Sequence, residues 1–83
     1  IHIYPNPVTN QVLHIEMDEP TFTETHISLM NVQGQKVLAV KLPSSTAKWK
    51  HQLDLSGLPA GLYVVAIQGN SGGRVLRKII KTQ

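Results

Sequence analysis

The sequence contains no cysteine, which excludes a thiol nucleophile, a disulfide framework and a cysteine-ligated metal. It does not fix a compartment, because exported and cytosolic chains can both do without cysteine. Aromatics are few: Tyr4, Phe22, Trp49 and Tyr63 complete the set. No apolar run approaches the about 20 residues that cross a bilayer as a helix, and no signal-peptide pattern is present. Helical periodicity is missing too, since no stretch of about ten residues repeats its apolar side chains at helical spacing. Acidic residues are scarce, five against eight Lys and Arg, for a formal net charge of +3. Arg74, Arg77, Lys78 and Lys81 crowd one segment with no aromatic among them. A nucleic-acid surface would show a denser basic patch interleaved with aromatics, so nucleic acid is not an expected partner. The chain starts without Met inside a strand-like run and reads as a piece of a longer protein.

What is present is a period of two. Seven short extended runs are predicted, at residues 1–4, 12–17, 25–31, 36–42, 49–55, 62–68 and 74–82, each bounded by turn residues. In the second run Leu13, Ile15 and Met17 oppose His14 and Glu16. In the third Ile27 and Leu29 oppose His26 and Ser28. Trp49, His51, Leu53 and Leu55 share one face of the fifth run, and the sixth is apolar on both faces, as a central strand should be. Pro5 and Pro7 lack an N–H and restrict Tyr4 and Asn6 to extended geometry, so the first strand ends at Tyr4. Gly34 suits the positive φ of a short hairpin between the third and fourth runs. Asp18-Glu19-Pro20, Pro43-Ser44-Ser45-Thr46 and the segment 69–73 read as loops. The expected fold is one domain over residues 1–83: an all-β, seven-stranded antiparallel β-sandwich of immunoglobulin-like type. At this length a chain buries somewhat over ~60% of its unfolded surface, enough to fold with modest stability.

Few residues offer chemistry. The serines sit in strands and loops without the Gly-flanked turn of a nucleophile elbow. His14 and His26 could meet across neighbouring strands around a metal, although two solvent-side strand residues is the preferred reading. Glu16, Asp18, Glu19 and Glu24 could ring a loop-bound Ca²⁺; a solvated acidic rim is preferred. Short loops leave little material for a catalytic cleft, so no enzyme, cofactor or metal is expected. Trp49 reads as packing at the sandwich rather than as a sugar platform. The lysines of the last strand are read either as a block to edge pairing or as part of a recognition strand.

Four segments occur in order: IYPNP, VQGQKV, LDLSGLPAGLYVV and GGRVLRKIIK. In this order and spacing the chain resembles the type A C-terminal sorting domain of the type IX (Por) secretion system, from Tyr4 to Lys81. The resemblance implies a folded address label, carried by a cargo protein through the periplasm and across the outer membrane. It implies two partners besides the cargo: the outer-membrane translocon and a cell-surface sortase that cuts before Ile1. The cargo then ends at the outer membrane surface or in the medium. Carried over by motif, the recognition residues are Tyr4, Pro5, Asn6 and Pro7; Gly34 and Lys36; Leu58, Gly61 and Tyr63; and Lys78, Ile79, Ile80 and Lys81. The last strand is expected to offer a free backbone edge for strand addition, oriented by Lys78 and Lys81. Edge strands also leave room for weak self-association. The alternative reading is a non-catalytic adhesive or carbohydrate-binding module of a secreted enzyme, with a plain spacer as a further rival.

Overall fold

Alternating apolar and polar residues build two antiparallel sheets that face each other across one apolar layer. A computed structural model describes residues 1–18, 24–43, 49–69 and 74–82. Its strands are β1 (His2–Tyr4), β2 (Val12–Met17), β3 (Thr25–Met30), β4 (Lys36–Leu42), β5 (Trp49–Asp54), β6 (Gly61–Gly69) and β7 (Arg74–Lys81), with no helix among the described residues. One sheet has the order β1-β2-β5 and the other β4-β3-β6-β7. The predicted runs and the strands agree to within a residue or so at each end. Of the loops read from sequence, residues 19–20, 44–46 and 70–73 lie outside the described residues, as does Phe22.

The inner faces carry the period-two apolar set. Leu13, Ile15 and Leu53 come from the smaller sheet, and Ile27, Leu29, Tyr63, Val65, Ile67 and Ile79 from the larger; Val8 and Leu55 join them from connections. Full burial of each Leu or Ile side chain is worth about 1.5–3 kcal/mol before the entropic costs of folding are subtracted. Trp49 packs half-buried against this core. β6 lies between β3 and β7, and its Val65, Ala66 and Ile67 are all buried, consistent with its two-sided apolar sequence.

The split into sheets rules out the less favoured reading of the two histidines, a shared metal. β2 and β3 are consecutive in sequence but belong to different sheets. His14 and His26 therefore project from opposite outer faces and cannot share a metal, because each has the parity opposite to its strand's buried residues. No group of three or more metal-ligating side chains occurs among the described residues.

Candidate recognition surface

The opening motif folds as a clasp. β1 stops at Tyr4, whose ring stacks on its cross-strand partner His14 with centroids 5.1 Å apart. The Tyr4–Pro5 and Asn6–Pro7 peptide bonds are both cis. With no N–H on either proline, the side chain of Asn6 takes over strand pairing. Its Nδ2 donates to the Lys78 carbonyl at 3.2 Å, and its Oδ1 accepts from the Ile80 N–H at 3.1 Å. The backbone resumes the pairing at Val8, whose N–H reaches the Ile80 carbonyl at 2.6 Å and whose carbonyl accepts from the Thr82 N–H at 3.1 Å. The Val8 side chain is fully buried in the core. Residues 6–8 thus occupy the outer edge of β7 from Lys78 to Thr82. This corrects the expectation of a free backbone edge there: that edge is already paired within the chain. The unnoticed signal was Val8, a lone apolar residue directly after the prolines.

The second motif is a hairpin organised by Asn31. Its Oδ1 accepts from the N–H groups of Gln33 and Gln35, both at 3.0 Å, and its carbonyl accepts from Gly34 N–H at 3.0 Å. Gly34 has φ +80°, the left-handed conformation the turn requires. The register shifts between Leu29 and Met30, so that Met30 pairs with Lys36. Asn31 is a second residue that sequence reasoning passed over; an Asn three positions before a turn Gly carries that signal.

The third motif is a corner. After Asp54, the Ser56 N–H donates to the Asp54 carboxylate at 2.9 Å, which holds that carboxyl below its ordinary range. Leu58 is half-buried against the core. Gly61 begins β6 with φ +154°, and the Tyr63 hydroxyl donates back to the Pro59 carbonyl at 2.6 Å. Tyr63 is itself buried, so its work is to pin the connection to the strand.

The fourth motif divides by parity. Lys78 and Ile80 point outward and are exposed, whereas Ile79 and Lys81 point inward and are buried. The two lysines cannot act together on one face, because an interval of three residues reverses direction in a strand. The registers also bring all four motifs to one end of the sandwich. Met30 pairs with Val64, which pairs with Lys78, and Gly61 pairs with Lys81, itself bridged to Val8. Ile1 lies at the opposite end, where its backbone nitrogen is 3.8 Å from Asp18.

The outer face of the smaller sheet is a polar network. Glu16 accepts from the Tyr4 hydroxyl and sits 3.2 Å from Lys50 Nζ. The Tyr4 hydrogen bond, then Lys50, holds the Glu16 carboxyl below its ordinary value. Glu16 in turn pushes the Tyr4 hydroxyl and the Lys50 ammonium up. Asp18 bonds His2 Nε2 at 2.9 Å, and Glu24 lies 3.5 Å from Lys41. The carboxylates expected to crowd one rim therefore face separate basic partners, and Glu24 belongs to the other sheet's margin. That argues against a shared Ca²⁺ among Glu16, Asp18 and Glu24.

A family model described as a secretion system C-terminal sorting domain matches residues 2–82. The chain is a member of this family. No curated protein matches it. The sorting domain is a C-terminal signal for type IX secretion, and it directs the protein to which it is joined into that machinery, toward a secreted or cell-surface fate. Among the described residues of the sorting domain, no helix is long and apolar enough to cross a membrane.

Proposed function

We propose that residues 1–83 act as one sorting domain and that the export machinery reads the end of the sandwich where the four motifs meet. The observation that supports this most directly is their convergence through β-sheet register, together with the position of Ile1 at the far end. A cargo leaving from Ile1 would not mask that end. Of the recognition residues, Tyr4, Asn6, Pro7, Gly34, Lys36, Gly61, Lys78 and Ile80 are exposed and available for contact. Pro5 and Leu58 are half-buried, and Tyr63, Ile79 and Lys81 are buried, so these five act by shaping the surface. The translocon takes the folded domain from the periplasm, and the sortase cuts before β1. The domain serves both as ligand and is not a catalyst.

An immunoglobulin-like assignment of the sandwich also belongs to this reading. The order β1-β2-β5 in one sheet and β3-β6-β7 in the other follows that pattern, while β4 joins β3 rather than β5. The bond from Tyr63 to Pro59 resembles the tyrosine corner of such domains.

The test is a fusion of residues 1–83 to a periplasmic reporter in a host with the secretion system. Surface delivery with removal of the domain is the expected result, and retention in the periplasm would refute it. Truncating the last strand is a poor substitute for this experiment. It deletes the buried Ile79 and the partners of Asn6 and Val8, and so tests folding before it tests export.

A further inference from the structure

Charge is divided between the two sheets. The strands of the larger sheet hold Lys36, Lys41, Arg74, Arg77, Lys78 and Lys81 and no acidic residue, whereas those of the smaller sheet hold Glu16 and Asp54 with Lys50. Four of these cations sit around a trough on the outer face of the larger sheet. Its floor is one cross-strand row, Ala39 opposite Ser28 and Ser28 opposite Ala66, ended on β7 by the half-exposed Leu76 opposite Ala66. On one side runs the row Lys41, His26, Gln68, Arg74, and on the other Lys36, Met30, Val64, Lys78. Each bounding row is thus basic at both ends and carries neutral or apolar side chains in the middle. The part of the groove lined by Lys36, Lys41 and Arg74 encloses about 390 Å³, with Lys78 beyond it at the end of the second row. Glu24 offsets Lys41 alone; no other carboxylate within salt-bridge distance of the four cations occurs among the described residues.

The dimensions select an occupant. The bounding rows are four residues apart along β3, β6 and β7 and five along β4, where the register shifts; four residues span about 13 Å at 3.3 Å per residue. An α-helix with side chains is about 10–12 Å across, so it can lie in the trough perpendicular to the strands. Four strands span about 14 Å, the length of roughly nine helical residues. Small floor side chains on β4, β3 and β6 allow close approach, Leu76 on β7 offers an apolar contact at one end, and the corner cations call for carboxylates near both ends of the segment. Beyond the second row, the cross-strand pair Leu62 and Ile80 exposes 42% and 48% of its surface, an apolar shelf beside the trough.

We propose that this trough docks an acidic amphipathic helix of a partner protein. The proposal rests on the sorting reading and names the kind of surface the export machinery would present. A lipid bilayer fits less well, because a concave strip about one helix wide meets a planar array of headgroups only at its rims.

The probe is a capped helix-forming peptide of Glu, Ala and Leu with carboxylates two turns apart, titrated into the isotopically labelled 83-residue chain. Amide shifts should centre on Ser28, Ala39 and Ala66, and affinity should fall at least about fivefold between 50 and 300 mM salt as screening shortens. Ala39→Trp fills the floor and should abolish the shifts, and Lys36→Gln with Lys78→Gln should weaken binding about three- to tenfold. In a cargo fusion, both variants should reduce surface delivery several-fold, while Lys50→Gln on the opposite face should not. If Ala39→Trp lowers the melting temperature, the lysine pair decides the matter alone. Delivery at the unmodified level by the lysine pair would overturn the proposal. So would tighter binding to phosphatidylglycerol vesicles than to the peptide, or a dimer abolished by Ala39→Trp. Delivery that is unaffected by removing residues 1–83 would instead overturn the sorting reading itself.

Discussion

Gly61 meets no atom within 4 Å of where a Cβ would stand, so a side chain there would find room. The obstacle is its φ of +154°, which residues with a Cβ rarely adopt. Gly61→Val should therefore destabilise the domain by more than about 1 kcal/mol. For a chain this short, that corresponds to a fall of about 4–8 °C in thermal denaturation. Tyr63→Phe removes only the hydroxyl that bonds Pro59, and should cost about 1 kcal/mol with the fold retained. The reverse case is Gln11, a non-glycine residue at φ +68° whose carbonyl accepts from Leu55. Gln11→Gly should relieve that conformation and raise the melting temperature, or leave it unchanged if the added freedom of the unfolded chain offsets the gain.

Among the elements, β7 depends on a neighbour that is not a strand. Asn6→Ala deletes two hydrogen bonds to its edge and should cost about 1–2 kcal/mol. Amide exchange at Ile80 should accelerate well beyond that at Ile79, which bonds to β6. β1 and β2 are held in part by the Tyr4–Glu16–Lys50 network, and this sets an acid limit. The folded Glu16 carboxyl titrates below the unfolded one, so its stabilisation is present above the ordinary glutamate value of about 4.3 and is lost as pH falls through the lowered value. Denaturant unfolding across pH 2–7 should show that loss, and Glu16→Gln or Tyr4→Phe should make the acid limb shallower. Most elements were legible from sequence because one face is dry: Leu13 and Ile15, or Ile27 and Leu29, declare their strands by alternation alone. The clasp was not, because Asn6 pairs through its side chain, and a side chain standing in for backbone leaves no periodic trace.

On the scale of the whole molecule, the four motifs in the sequence identified the family but not their division of labour. Nothing in KIIK states which side of β7 faces inward; only pairing to β6 puts Ile79 and Lys81 inside and Lys78 and Ile80 outside. The trough was equally hidden, since Ala39, Ser28 and Ala66 become neighbours only through register, from three separate strands. Replacing the exposed Lys36 or Lys78 should leave melting within about half a kcal/mol, whereas Ile79→Ala should cost about 2–5 kcal/mol. Measured stabilities that reversed this order would show the outward and inward assignments to be inverted. The clasp has one more consequence. Val8 emerges from the ribosome more than seventy residues before its partner Ile80, so this fold closes only when nearly all of it has been made. A product broken off during synthesis keeps an open seam, and a carrier that accepts only the closed form would leave incomplete cargo behind.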